Sequence, residues 1–322
     1  MSELTAPTPD ANRSPTRPVI TSETGDQRGP TGRPFGGRFR RLGEDILRTP
    51  SALVGLAIVG VFLALAAVGP YVAPHSATEM VITNKFARPS LEHPFGTDAF
   101  GRDVFSRIIV GARLSFLLAA TATLFSIVLG TPLGLIAGYS RGWIDEVLMR
   151  LTDALLALPS IVLALVIVTT LGSSLINVIL AVGIVYAPRI ARVVRSGTLA
   201  LRDEEFVQAA RARGESGRYI IFSEILPNTV APLIVEASIR MGFAILLATS
   251  LSFLGLGASP PAPDWGLMIN EARLHLFRAP WLTIFPSIAI ALTIVGFNLL
   301  GDGIRDILDP RRVWAERKSE GV

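Results

Sequence analysis

Ala52-Leu-Val-Gly-Leu-Ala-Ile-Val-Gly-Val-Phe-Leu-Ala-Leu-Ala-Ala-Val-Gly-Pro-Tyr-Val-Ala73 decides the fold. This run carries no charge, and at about 1.5 Å per residue it matches a bilayer core of about 30 Å. Further apolar runs of this kind lie at Leu114 to Gly138, Leu151 to Leu171, Leu175 to Val194, Ala231 to Leu256 and Trp281 to Leu300. They predict an all-α, six-span transmembrane helical bundle. Pro70, Pro132, Pro159, Pro188, Pro232 and Pro286 lie in or at the ends of these runs, which membrane helices tolerate when neighbours satisfy the freed backbone groups. Gly130, Gly134 and Gly138 recur every four residues in the second run, so one face of that helix is open to close approach by another. Glu236 and Arg240, inside the fifth run, are spaced to pair along one helix face.

Composition agrees. The 322 residues are 50% hydrophobic and only 17% charged, against roughly 25% charged in average soluble chains. Cysteine is absent, which excludes disulfides and thiolate chemistry, and the histidines, His75, His93 and His275, are too scattered for a zinc-protease motif. No cofactor is expected. The basic balance reflects membrane topology rather than nucleic-acid binding: of 30 Lys and Arg, 22 fall in the tails and in the segments joining spans two to three and four to five. The positive-inside rule therefore puts both termini in the cytoplasm of a multi-pass protein of a bacterial inner membrane, in contact with lipid.

Residues 1–37 are rich in Pro, Thr, Ser and Gly without apolar period and are expected to form a disordered tail. Residues 38–50 place Phe39, Leu42 and Ile46 on one face and are expected to form an interfacial amphipathic helix. The membrane domain is expected over 51–313, and 314–322 form a second cytoplasmic tail. Between spans one and two, Thr97 or Asp98 is a candidate helix cap, and Asp103 and Arg107 have the spacing of a helical ion pair. Capping and pairing explain these residues with fewer assumptions than a metal on His93, Asp98 and Asp103, so no metal site is expected. Gly96, Asp98, Gly101, Arg102, Asp103 and Arg107 thus form an expected structural segment at the outer mouth. Trp265 and Trp281 are expected as interfacial anchors, and Gly257 to Trp265, with Pro260, Pro261 and Pro263, as a stiff connector.

The segment between spans four and five is the most informative. Asp203-Glu-Glu-Phe-Val-Gln-Ala-Ala-Arg-Ala-Arg-Gly214 predicts a short helix and a Gly turn; the next helix, through Glu224-Ile-Leu, is expected to stop at Pro227. Phe206, Ala209, Ala210 and Arg213 recur at helical spacing and are read as one face that docks a cytoplasmic partner.

Ala209-Ala210-x3-Gly214, followed after nine residues by Glu224-Ile-Leu-Pro227, resembles the "EAA" loop of permease subunits in bacterial ABC importers; Gln208 stands where the family name has Glu. Gly96-Thr-Asp-x2-Gly-Arg-Asp-x2-Ser-Arg-x3-Gly-Ala-Arg113-x-Ser115 resembles the segment before span two in the dipeptide, oligopeptide and nickel subgroup. Leu251-Ser-Phe-Leu-Gly-Leu-Gly257, with Pro260, Pro261 and Trp265-Gly266, is similar to the end of span five in the second, C-type permease of that subgroup. The resemblance implies a transporter subunit with no catalytic residues of its own. Its expected partners are a second permease subunit, two ATPase subunits and an extracytoplasmic substrate-binding protein, with no nucleic acid. It also implies that the loop couples to the ATPases, through Gln208, Ala209, Ala210, Arg211, Arg213 and Gly214, with Leu226 and Pro227 closing the motif.

Two rival classes are weaker. An ion-coupled secondary transporter needs ionisable groups near mid-membrane, whereas Asp153, Glu236, Arg240 and Asp302 lie toward span ends or have partners. An intramembrane hydrolase finds only a formal Gly138-Tyr-Ser-Arg-Gly142 elbow with no histidine on its side. A Walker A loop needs Gly-Lys, and Lys85 and Lys318 follow Asn84 and Arg317, so this chain must borrow its ATPase.

Overall fold

The computed structural model describes residues 49–140 and 142–308. The expected tails, the amphipathic helix up to residue 48, and Arg141 lie outside the described residues.

Nine helices are described: α1 Pro50–Val72, α2 Val104–Tyr139, α3 Trp143–Leu156, α4 Ser160–Leu171, α5 Leu175–Leu201, α6 Glu205–Ala212, α7 Gly217–Phe253, α8 Trp265–Ala272 and α9 Trp281–Leu308. Five of them, α1, α2, α5, α7 and α9, are long and apolar enough to cross a membrane unaided. The third expected span is instead a bent pair, α3 and α4, that turns by 92°. The break falls at Ala157, Leu158 and Pro159. Proline has no N–H to continue the helix and drives the residue before it out of the α region. If the pair counts as one crossing, the spans number six.

Close backbone approaches give the helix directions. An ideal Cβ on Gly130, Gly134 or Gly138 falls 2.5 Å from Ala187 O, 2.4 Å from Ala191 O and 2.6 Å from Thr198 Cβ, respectively. The register advances together along both chains, so α2 and α5 run parallel, in contact along the glycine seam expected from sequence. Between α1 and α9 the register runs in opposite senses: Gly55 lies against Leu300, and Gly303 against Ala52. The same holds for α7 and α9, where Gly242 faces Ile294 and Gly301 faces Ile239. Phe62 stacks on Phe116 while Gly69 meets Ile109, which makes α1 and α2 antiparallel.

Two ends follow. One carries α6 with the starts of α1 and α7; the far end carries residues 73–103, 172–174 and 254–280. At 36 and 37 residues, α2 and α7 are about 54 Å long, well over the bilayer core, and project beyond it. The main core, including Phe62, Phe116, Tyr186, Leu251, Trp265 and Phe297, joins α1, α2, α5, α7, α8 and α9. Trp265 is therefore not an interfacial anchor: it is fully buried, and its Nε1 donates to Ile108 O at 3.0 Å. Exposed Leu53, Val61, Leu117, Leu124, Ile176 and Ile288 leave apolar outer faces suited to lipid or to another permease.

Candidate functional site

At the α6 end, Glu205–Ala212 forms two helical turns. Val207 and Ala210 are fully buried in a separate apolar cluster with Leu135 of α2, Ile190 and Val194 of α5, and Ile220 and Ile225 of α7. Ala210 thus faces inward and does not share an exposed face with Phe206, Ala209 and Arg213. Val207, three residues before it, is the clamp residue that sequence reasoning missed. The Val207/Ala210 spacing was readable, but the partners across the cluster were not.

The outer face of α6 presents Phe206, Gln208, Ala209 and Arg213. Gln208 Nε2 donates to Asp203 O at 2.9 Å, fastening the side chain that stands at the Glu position back onto the loop. Arg211 lies 5.4 Å over the Tyr139 ring at the end of α2. Arg213 spans Glu215 at 3.8 Å and Glu224 at 3.6 Å, distances that make a weak exposed contact. Gly214 is exposed, with φ +81°, and its N–H bonds Arg211 O at 2.9 Å, ending α6 in a left-handed turn. A side chain here would have room but not a relaxed backbone.

The helix after this turn does not stop at Pro227. Ile220–Ile225 widens into a π-turn in which Leu226 N–H bonds Ile221 O, and Pro227 falls in the first turn of the helix that continues to Phe253. The wider turn accommodates a residue lacking an N–H, and beside it Asn228 Nδ2 donates to Glu224 O at 2.7 Å. Leu226 is half-buried and Pro227 exposed. An apolar clamp and a helical junction thus tie α6 to three spans. Arg195 adds a bidentate pair to Asp145, with both contacts at 2.6 Å, which holds α3 on α5.

At the far end the polar segment is also built, with partners that differ from expectation. Neither Thr97 nor Asp98 caps α2; Asp103 does, accepting Ser106 N–H at 2.8 Å. Arg107 pairs not with Asp103 but with Asp98 at 2.7 Å and Glu271 of α8 at 3.1 Å. Arg102 reaches the same two carboxylates at 2.6 and 2.7 Å. Asp98 also accepts the N–H groups of Phe100 and Arg102, so the two buried guanidinium groups and their carboxylates form one network joining α2 to α8. Glu271 is 164 residues from Arg107, too distant for sequence spacing to pair them. Gly101, at φ +75°, brings its Cα beside Val81 O, where a Cβ would fall at 1.8 Å. Gly96 is packed between Ala87 O and the Trp281 ring. Arg240 pairs with Glu236 at 2.7 Å as its spacing indicated.

Residues 130–314 match the family described as the binding-protein-dependent transport system inner membrane component. The chain belongs to that family. Residues 39–89 match the N-terminal transmembrane domain of oligopeptide transport permease C, which makes this permease the C-type its motifs resemble. It is 46% identical to the dipeptide transport system permease protein of Alkalihalophilus pseudofirmus over 85% of this chain and 90% of that one. It is 43% identical to the glutathione transport system permease protein of Pectobacterium atrosepticum over 85% and 91% of the two chains. An inward-facing structure of the MetNI methionine ABC transporter shares its fold, with a TM-score of 0.52 and 17% identity over 63% of this chain and 97% of that chain. The permease is a transport subunit and not an enzyme; it acts in complex with other permease and ATPase subunits, and ATP is hydrolysed on the latter. Neither rival class finds a counterpart in these relatives.

Proposed function

We propose that α6 is the lever through which two cytoplasmic ATPases drive this permease to import small peptides or peptide-like solutes. The clamp under α6 carries the reading: force on the exposed Gln208, Ala209, Arg211 and Arg213 passes through buried Val207 and Ala210 into α2, α5 and α7 together. Gly214 lets the chain reverse tightly enough for α7 to begin beneath that clamp, and Leu226 and Pro227 mark where α7 takes up the load. The coupling is reciprocal, because spans that resist motion must slow the ATPases as much as the ATPases move the spans.

The α6 end then lies in the cytoplasm, in keeping with its arginines, and an extracytoplasmic binding protein delivers cargo at the far end. The names of the dipeptide and glutathione relatives support peptide-like cargo. A second, different permease completes the path, and the outer segment 96–107 acts as a structural brace for the mouth.

The test is Gly214→Val in the complex reconstituted with its ATPases. Forcing a β-branched residue to φ +81° costs about 1–3 kcal/mol, concentrated at the turn. Membrane insertion and assembly should persist while transport per ATP hydrolysed falls severalfold. Transport undiminished at the same ATP turnover refutes the lever.

A further inference from the structure

We propose that His75, His93 and Asp103 form a transition-metal site, suited to Zn²⁺, at the far end of the bundle. The three residues come from separate pieces of chain: the segment leaving α1, the turn before α2, and the N-cap of α2. Each offers a ligand atom, and these atoms all lie within 4.8 Å of one another. His93 Nδ1 is 3.0 Å from Asp103 Oδ1, and His75 Nδ1 is 3.9 Å from Asp103 Oδ2. The imidazole rings lie with centroids 4.8 Å apart, tilted by 39° to each other. Ligands about 2.0–2.1 Å from a tetrahedral Zn²⁺ sit roughly 3.4 Å from one another, so small side-chain rotations close the set.

One observation separates this cluster from an ordinary hydrogen-bonded cap: Nδ1 of His75 is buried beside Asp103 yet has no hydrogen-bond partner. A capping network that needed only the His93–Asp103 bond would have no use for a second imidazole turned toward the same carboxylate. The supporting bonds also hold the ligand-bearing backbone in place. His75 N–H donates to Ser106 Oγ at 3.1 Å, Ser106 N–H donates to Asp103, and His93 N–H donates to Ser90 Oγ at 3.1 Å. Such outer-shell contacts orient metal ligands. Two imidazoles and one carboxylate are a borderline donor set that favours Zn²⁺ over Mg²⁺ or Ca²⁺ and leaves a fourth position for water. Asp98 is not a member, because Arg102 and Arg107 occupy its carboxylate. A bound ion would tie the exit of α1 to the start of α2, the two elements that frame this mouth.

The experiment titrates Zn²⁺ into the tag-free, chelator-treated full chain in detergent, by competition with a fluorescent zinc indicator, with thermal unfolding followed in parallel. Wild type should bind one Zn²⁺ per chain and melt at a higher temperature in its presence. His75→Gln, a half-exposed position whose change spares the cap, should weaken binding at least tenfold and abolish the melting shift while leaving the metal-free melting temperature unchanged. His93→Gln should do the same to binding. His275→Gln, at a histidine packed on Phe86 away from the cluster, should change neither. Wild type that binds no Zn²⁺, or binds it no more tightly than His75→Gln does, overturns the site; so does binding lost in His275→Gln.

Discussion

Gly134→Ala tests the packing of the bundle most directly. In the α2–α5 seam the added methyl carbon would lie 2.4 Å from Ala191 O, 2.8 Å from Val194 Cβ and 3.0 Å from Arg195 N. Ordinary contact begins at about 3.5 Å, so the helices must separate by roughly 1 Å. Two of the three obstacles are backbone atoms, and rotamer changes cannot relieve them. A gap of that size forfeits about a quarter to a half of each facing dispersion contact, and Leu135, Ile190 and Val194 line the seam. About twenty such contacts at ~0.15 kcal/mol lose ~1 kcal/mol together, and residual strain brings the cost into the ~1–3 kcal/mol range of overpacked cores. Gly→Ala within a helix also gains about 0.5–1 kcal/mol from backbone entropy, which masks part of the effect. Gly60→Ala supplies the correction: it lies mid-helix in α1, and its added carbon meets nothing within 4 Å. Reversible unfolding of the full chain in mixed detergent micelles should therefore find Gly134→Ala less stable than Gly60→Ala by about 1–3 kcal/mol. Equal stability, or a more stable Gly134→Ala, would falsify the seam as a close backbone contact.

Glu271→Gln should destabilise the far end by about 3 kcal/mol or more, because two buried guanidinium groups lose a shared counter-charge; Arg150→Ala, which breaks an exposed pair, should stay within about 0.5 kcal/mol of wild type. Thermal unfolding of both variants decides it, and similar losses would contradict the network. Asp264 caps α8 through Leu267 N–H, and burial pushes its carboxyl above the ordinary carboxylate range despite that hydrogen bond. A raised acid binds its proton more tightly when folded. Its contribution is complete below the ordinary value of about 4 and is lost as pH rises through the raised value. Asp264→Asn keeps the capping oxygen without the charge, so wild type should lose stability relative to the variant over a pH window that opens at about 4 and runs upward. A difference that stays flat across that window contradicts the burial argument.

Five of the spans were legible in sequence because the bilayer demands long uncharged helices whatever their neighbours; the bend in the third expected span was not. Glu236 and Arg240 were legible for a related reason, since both partners sit on one helix at a spacing the helix itself imposes. The glycine seam was half legible: Gly130, Gly134 and Gly138 announced a close approach, but nothing local named α5 as the partner or made the contact parallel. Errors arose where a local rule met a distant competitor. Arg107 had Asp103 four residues away, yet Glu271 and Asp98 converge on it and His93 takes Asp103. Trp265 had the composition of an interfacial anchor until α8 folded it under α2. Pro227 had the look of a helix stop until a π-turn absorbed its missing donor.

By itself, then, the sequence determined the class of the molecule, five of its long apolar helices and its need for a separate ATPase. Each depends on hydrophobic length, charge placement or a contiguous motif. Tertiary structure alone decided that Val207 and Ala210 form the inward clamp, that Asp98, Arg102, Arg107 and Glu271 make one network, and that His75 joins His93 at Asp103. Those arrangements join residues up to 169 positions apart, brought together by the packing of whole helices, which no local periodicity encodes.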